Sequence, residues 1–354
     1  MNRFSKIAAK LGQYGVDAML ITSQPGEFYA TGFYGEGIVL VTPGEVVYIT
    51  DSRYIEAAQK TVTGATIHVV GQGRGYISFL NEAIDRLGLK TLGVEERYLS
   101  LADYRRYESD LHAQLVPAGD LLLELRAAKD DYEIDCLIQA QRISERAFHA
   151  ILPFLKPGVT EREVAAKLTY DMLRFGASKN SFDPIVVSGP NGSLPHGVPG
   201  DRAIQAGDFV TMDFGCIWGG YCSDMTRTVA VGQPSEEMVK VYELVLKAQL
   251  AGIAASKAGA PGKDIDAAAR KVIEDGGYGP YFGHGYGHSV GLEIHEGPNA
   301  NTREETPMPV GAVVSAEPGI YLPGKFGVRI EDMVIMEENG CQNITKAPKE
   351  LIIL

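Results

Sequence analysis

Cysteine is scarce in this chain of 354 residues, which contains only Cys136, Cys216, Cys222 and Cys341. Four cysteines are too few for a scaffold held by disulfides, and they favour a reducing compartment, so we expect a cytoplasmic protein. Long apolar runs are also missing. No stretch approaches the ~18 consecutive apolar residues that a membrane helix needs, which argues against a membrane protein.

Positive charge is in deficit as well. The 33 Lys and Arg residues are outnumbered by 45 Asp and Glu residues, which gives a net charge of −12. A protein that binds nucleic acid through phosphates needs a basic surface, so we expect no nucleic-acid partner. The hydrophobic content of 45% and the charged content of 22% are typical of globular proteins.

The length predicts about two domains, at roughly 150 residues per domain. In the first third, short apolar runs alternate with helical patterns, such as the apolar face formed by Phe4, Ile7, Ala8 and Leu11. This alternation predicts an α/β fold, and the change in character near residues 120–130 suggests domains at 1–125 and 126–354.

The second part has a different pattern, in which two long helices are predicted at 234–258 and 262–276. A capping-box spacing between Thr160 and Glu163 predicts the start of another helix. Strands are predicted around these helices at 184–188, 208–214, 216–231, 311–317 and 327–337.

Four carboxylates of the second part lie in or directly after apolar strand candidates: Asp213, Asp224, Glu317 and Glu331. A tight turn at 218–220 would bring the two aspartates back toward each other. Buried charges cost several kcal/mol unless they are paired or bind a metal. The alternative to a metal site is a network of salt bridges with Arg227 and Arg329.

Histidines supply a second signal, because four of the seven lie near these acids in glycine-rich motifs: His196, His284, His288 and His295. Four carboxylates and one imidazole suit two divalent ions, with manganese expected first and cobalt or zinc as alternatives. Such a site can generate a nucleophile at neutral pH and polarise a carbonyl group. The remaining histidines are candidates for binding the substrate or an intermediate.

The acids and histidines lie within motifs that resemble those of the pita-bread metallopeptidases: MDFG, SDMTRT, HGYGHSVGLEIHEGP, SAEPGIY and VRIEDM. That family includes methionine aminopeptidase, aminopeptidase P, prolidase and the metal-free creatinase. The resemblance covers essentially the whole chain. It implies a creatinase-like α/β domain at 1–125, a pita-bread catalytic domain at 126–354, and a homodimer.

The resemblance also implies the metal ligands. Asp213 is expected to chelate one metal, Asp224 and Glu331 to bridge both metals, and His288 and Glu317 to complete the other. A hydroxide bridging the metals is the implied nucleophile, and Glu317 is the implied proton shuttle.

Further residues acquire roles by the same resemblance. His196 is expected to contact the substrate near the scissile carbonyl, and His295 to stabilise the gem-diolate. His284 is expected to shape the pocket, and Arg329 resembles an arginine of the proline-specific branch. Phe182, Tyr281 and Phe282 are candidates for lining a pocket for proline, with core packing as the alternative.

The proline-specific branch implies small peptide substrates with proline at the second position. The length favours a Xaa-Pro dipeptidase, or prolidase, over aminopeptidase P. Some prolidases carry an arginine directly after the HEGP motif, where this chain has Asn299. Arg303 is therefore our candidate for binding the substrate carboxylate, and a solvated loop arginine without this role is the alternative. A pita-bread domain that binds without catalysis is the remaining alternative, which the intact ligand set disfavours.

Overall fold

A computed structural model describes residues 2–354 of the chain. It divides into two compact units, of which one ends at Arg126 and the other comprises Ala127–Leu354. Among the described residues, we find no helix whose length and apolar character would let it cross a membrane.

The first unit combines helices with one sheet of six strands. Its helices are α1 (Arg3–Lys10), α2 (Gln24–Thr31), α3 (Ile55–Thr61), α4 (Tyr76–Leu87), α5 (Leu101–Asp110) and α6 (Gly119–Ala127). Its strands are β1 (Ala18–Ile21), β2 (Ile38–Val41), β3 (Val46–Thr50), β4 (Thr66–Val69), β5 (Thr91–Val94) and β6 (Gln114–Pro117). They lie in the order β4-β3-β2-β1-β5-β6, in which β2 is antiparallel to both of its neighbours.

The apolar face predicted at the start of the chain forms helix α1 and the turn after it. Phe4, Ile7 and Leu11 are buried, and the Asn2 side chain caps the helix by accepting a hydrogen bond from the Ser5 backbone N–H. The β1 and β2 side chains are almost all fully buried because they are covered on both sides. This sheet with helices confirms the predicted α/β character.

The second unit contains four helices and thirteen strands within the described residues. The helices are α7 (Asp131–Ile151), α8 (Glu161–Arg174), α9 (Glu236–Ala255) and α10 (Gly262–Asp275). The strands are β7 (Lys179–Asn180), β8 (Ile185–Ser188), β9 (Asp208–Phe214), β10 (Cys216–Trp218), β11 (Tyr221–Cys222), β12 (Met225–Val231), β13 (Gly287–Ser289), β14 (Glu296–Ala300), β15 (Val313–Ala316), β16 (Gly319–Leu322), β17 (Phe326–Arg329), β18 (Asp332–Glu337) and β19 (Gly340–Asn343).

Two sheets of this unit position the side chains of the candidate site. One has the order β12-β9-β8, and the other has the order β14-β13-β15-β18-β19. Helices α9 and α10 cover the second sheet through an apolar core that includes Val245, Ile265, Ile273, Val314 and Val334. The predicted capping box is present, since the Thr160 hydroxyl accepts from the Glu163 backbone N–H and the Glu163 carboxylate accepts from the Thr160 backbone N–H.

The strand candidate at 216–231 is divided, as the predicted turn at 218–220 implies, into a hairpin, β10–β11, and then β12. Another strand prediction was wrong in its continuity. The segment predicted at 327–337 breaks between Arg329 and Asp332, because β17 pairs with β16 whereas β18 pairs with β15. At this break the Glu331 backbone N–H donates to the Thr226 carbonyl (3.1 Å), so Glu331 contacts a third strand.

Gly287 is a position where the fold leaves no room for a side chain. A Cβ there would lie 1.9 Å from the carbonyl oxygen of Ser315, which belongs to β15, whereas a Cβ at Gly283 would meet nothing within 4 Å. We expect Gly287→Ala to destabilise this unit by about 1–3 kcal/mol or more, because backbone must move.

Urea unfolding followed by the fluorescence of Trp218, the single tryptophan, measures this effect in the second unit. The matched control is Gly283→Ala, whose stability we expect to stay within about 1 kcal/mol of the original. Equal stability of the two variants would contradict the packing argument.

Candidate active site

A cavity of about 330 Å³ in the second unit collects most of the residues selected from the sequence. Nine of the ten candidates line it: His196, Asp213, Asp224, His284, His288, His295, Glu317, Arg329 and Glu331. The lining also includes Phe182, Ile185, Pro195, Gly285, Gly287, Ile294, Asn299, Asn301 and Tyr321. The cavity therefore combines an acidic cluster, several imidazoles and apolar side chains.

The two aspartates are brought together by the pairing of β9 with β12. Asp213 lies opposite Thr226 in this antiparallel ladder, and Asp224 directly precedes the first β12 residue. The turn at Gly219 and Gly220 reverses the chain between them, with positive φ angles of 58° and 88°. Glycine adopts such angles without a steric penalty.

The two glutamates, Glu317 and Glu331, are brought together by the pairing of β15 with β18. Ala316 lies opposite Asp332, so Glu317 and Glu331 both lie just beyond the same end of this ladder. The backbone N–H of Glu317 donates to the Tyr286 carbonyl at 2.8 Å, which holds the chain after β15 in place.

His288 lies on the neighbouring strand β13 and faces the same acids. Its Nε2 atom lies 3.3 Å from Glu317 Oε1 and 3.5 Å from Asp224 Oδ2, whereas its Nδ1 atom faces its neighbour's carbonyl, Ser289 O, at 3.2 Å. An imidazole with one nitrogen oriented by a hydrogen-bond acceptor and the other aimed at carboxylates is typical of a metal-binding histidine.

Electrostatics show that the cluster is unfavourable when all of its acids are charged. Burial raises the pKa of Asp213, and burial together with repulsion from other acids raises the pKa of Asp224 and Glu331 well above the usual range. Although burial opposes it, the hydrogen bond from His288 lowers the pKa of Glu317 to about 2. A bound cation would remove this repulsion.

The hydrogen bonding of the acids fits a metal ion. The oxygens Asp213 Oδ1 and Glu331 Oε1 are buried and have no hydrogen-bond partner among the described residues. One ligand atom from each of Asp224, His288 and Glu331 lies within 4.8 Å of the others, a separation suited to a shared ion. Carboxylate and imidazole donors suit manganese, cobalt and zinc, so the residues present fit the divalent metal that the sequence predicts.

Arg329 links the acids to the rest of the cavity wall. Its Nη2 donates to Asp213 Oδ2 (2.6 Å), its Nη1 to the Tyr321 hydroxyl (2.9 Å), and its Nε to Thr226 Oγ1 (3.1 Å). Arg329 is 3% exposed, so this cation is buried together with the acids. It partly compensates their charge and fixes the orientation of Asp213.

His284 has both ring nitrogens engaged within the chain. Its Nδ1 lies 2.8 Å from the Gly285 carbonyl oxygen, and its Nε2 lies 2.8 Å from the Tyr321 hydroxyl. Burial lowers the pKa of His284, which favours the neutral ring. In this structure the ring orients Tyr321 and closes one side of the cavity.

His196 and His295 are exposed at the cavity. The His295 ring stacks edge-on against His288 with centroids 4.3 Å apart, and its partial burial lowers its pKa. Among residues 2–354, neither of these two imidazoles has a hydrogen-bond partner, so both can reach a substrate.

Arg303 lies outside this cavity. It is exposed and lines an adjoining cavity of about 610 Å³, which shares His284, Gly285 and Asn301 with the first. Phe282 also lines this second cavity, whereas Phe182 lines the first and Tyr281 lines neither.

The sequence pattern alone indicates no role for Thr226 or Tyr321. The Thr226 hydroxyl contacts Glu331 and Arg329, and the Tyr321 hydroxyl contacts Arg329 and His284. Both lie inside motifs that the family resemblance singled out, at the fourth position of SDMTRT and the last position of SAEPGIY. The motifs could have identified them as candidates, but only the fold shows which groups their hydroxyls contact.

Comparison with known proteins agrees with this geometry. Residues 135–338 match the metallopeptidase family M24, and residues 3–128 match the creatinase/prolidase N-terminal domain. The chain therefore belongs to the M24 family of pita-bread metallopeptidases and is a metal-dependent hydrolase.

Individual relatives cover the whole chain. The structure is similar to that of a Xaa-Pro dipeptidase from Bacillus anthracis, with a TM-score of 0.96 and 42% identity over 99% of each chain. An X-Pro aminopeptidase from Thermotoga maritima has a TM-score of 0.92 and 38% identity, covering 97% of this chain and 99% of its own. The uncharacterized peptidase YqhT of Bacillus subtilis is 44% identical over 99% of this chain and 100% of its own length.

Proposed function

We propose that this protein is a Xaa-Pro dipeptidase that hydrolyses the bond before proline with two divalent metal ions. The observation that carries the proposal is the buried acidic cluster beside the exposed imidazoles of His196 and His295. In this cluster, Asp213 Oδ1 and Glu331 Oε1 have no hydrogen-bond partner within residues 2–354. The proposed ligands are Asp213, Asp224, His288, Glu317 and Glu331. When bound, the metals supply an activated water and polarise the scissile carbonyl group.

The chain's own residues bind the peptide and move protons. His295 and His196 donate hydrogen bonds to the oxygen of the scissile carbonyl as negative charge develops there. Glu317 accepts a proton from the attacking water and donates it to the proline nitrogen, the leaving group. Phe182, Ile185 and Ile294 provide an apolar wall for the pyrrolidine ring.

The position of Arg303 supports the proposal that the substrate is a dipeptide. Arg303 lines the cavity that adjoins the proposed metal site, where a guanidinium can bind the terminal carboxylate of a short peptide. The relatives include enzymes described as a dipeptidase and as an aminopeptidase, so aminopeptidase P activity is the second candidate.

Hydrolysis of Ala-Pro and Ala-Pro-Ala with Mn²⁺, compared with chelator-treated protein, tests this proposal. We expect cleavage of Ala-Pro only, and loss of cleavage after chelation. Efficient cleavage of Ala-Pro-Ala would favour aminopeptidase P. Cleavage of neither peptide by protein that contains metal would favour a binding function.

The variant Arg303→Gln tests the carboxylate contact. We expect KM for Ala-Pro to rise roughly 10- to 100-fold, the loss of one hydrogen bond between charged groups, with a smaller change in kcat. The control is Lys271→Gln, which removes an exposed charge paired with Asp275 and should leave KM unchanged. An unchanged KM in Arg303→Gln would exclude Arg303 from binding the carboxylate.

A further inference from the structure

Thr226 is a fully buried residue of β12, and it lies opposite Asp213 across the β9–β12 pair. Its hydroxyl group sits between two charged side chains. Arg329 Nε donates to Thr226 Oγ1 at 3.1 Å, and Thr226 Oγ1 lies 2.7 Å from Glu331 Oε2.

The direction of these two hydrogen bonds follows from the chemistry of the groups. A guanidinium only donates, so the threonine oxygen must accept from Arg329. A hydroxyl has one hydrogen, which is then available for Glu331 Oε2. The arginine therefore fixes Thr226 as a donor toward the glutamate.

In this arrangement, only one of the two carboxylate oxygens of Glu331 forms a hydrogen bond to a described residue. Glu331 Oε2 accepts from the Thr226 hydroxyl, whereas Glu331 Oε1 is buried and has no hydrogen-bond partner in the described part of the chain. Asp213 shows the same division, because Oδ2 accepts from Arg329 Nη2 and Oδ1 has no partner there. Arg329 thus orients one acid directly and the other through Thr226.

We propose that Thr226 is a positioning residue of the proposed metal centre, whose hydroxyl holds Glu331 Oε2 and so leaves Oε1 available as a metal ligand. The inference rests on the proposed function, because it takes Glu331 as a ligand. Positioning lowers the cost of metal binding, since the carboxylate is already in place before the ion arrives.

The hydroxyl can be removed with little change of shape. Thr226→Val keeps the branched side chain but leaves Arg329 Nε and Glu331 Oε2 unpaired, whereas Thr226→Ser keeps the hydrogen bonds. Thr228→Val is the matched control. Its hydroxyl is also buried on β12, but it donates to the backbone carbonyl of Arg329 (3.0 Å) and lies 2.9 Å from the Thr211 hydroxyl. Within residues 2–354 it has no hydrogen bond to a carboxylate.

Calorimetric titration of metal-free protein with Mn²⁺ tests the proposal without measuring activity. We expect Thr226→Val to bind Mn²⁺ about 10- to 100-fold more weakly than the original chain, the usual effect of losing a hydrogen bond to a metal ligand. Thr226→Ser and Thr228→Val should bind with nearly the original affinity.

The outcomes separate this inference from the proposed function. If the original chain binds no Mn²⁺, both are overturned. If it binds Mn²⁺ and Thr226→Val binds equally well, or Thr228→Val loses as much affinity, the role of Thr226 alone is overturned. Trp218 fluorescence verifies that each metal-free variant is folded. If Thr226→Val does not fold, the Mn²⁺ affinities of Thr226→Ala and Thr226→Ser are compared instead. The side chains of these two variants differ by one oxygen atom, so the comparison again isolates the hydroxyl group.

Discussion

Glu331→Gln is expected to lose both bound metals and essentially all peptide hydrolysis. An amide carries no charge, and Glu331 is one of the proposed carboxylate ligands that would hold the two divalent ions. Because metal assistance supplies several kcal/mol of transition-state stabilisation, we expect kcat/KM to fall roughly 10³-fold or more. Metal analysis after dialysis against Mn²⁺, together with hydrolysis of Ala-Pro, measures both effects.

The matched control for this variant is Glu337→Gln, an exposed residue at the far end of β18. It should retain the metal content and the activity of the original chain. Full activity with two bound metals in Glu331→Gln would show that the ligand assignment is wrong.

Arg227→Met is expected to cause the largest loss of stability in the second unit. All five guanidinium hydrogens of this buried arginine have acceptors: the carbonyls of Thr226, Glu331, Ala347 and Pro348, and the Asp332 carboxylate. Removing one partner of a buried ion pair costs about 3–5 kcal/mol. The free energy of unfolding in urea, followed by Trp218 fluorescence, measures the loss.

An exposed ion pair provides the control. Arg162 contacts Asp201 at 3.0 Å on the surface of the same unit, with 64% of the arginine side chain exposed. Arg162→Met should therefore change stability by less than about 1 kcal/mol. If the two variants lose similar stability, burial is not what makes the Arg227 pair important. We expect Arg227→Lys to lose much of the stability as well, because lysine has only three donor hydrogens.

The sequence determined the fold class and much of the candidate site. Apolar periodicity predicted helix α1, because residues on one helical face repeat at a spacing that can be counted. The sequence also predicted the long helices α9 and α10. The acids after apolar strands indicated a functional site, since a buried charge must be compensated by a partner or a metal. The motifs then identified the family, which the comparisons confirmed.

The tertiary structure decided what depends on pairing between distant segments. The break of the predicted strand at 327–337 follows from β17 and β18 joining different sheets, and the sequence carries no local signal for it. The same pairing places Thr226 between Arg329 and Glu331 and leaves Arg303 at an adjoining cavity. Local patterns predict which segments are helical or extended and which acidic residues lie at the ends of apolar strands. Which of their atoms meet is set by strand register and burial across more than a hundred residues of chain, as in the Thr226–Glu331 hydrogen bond.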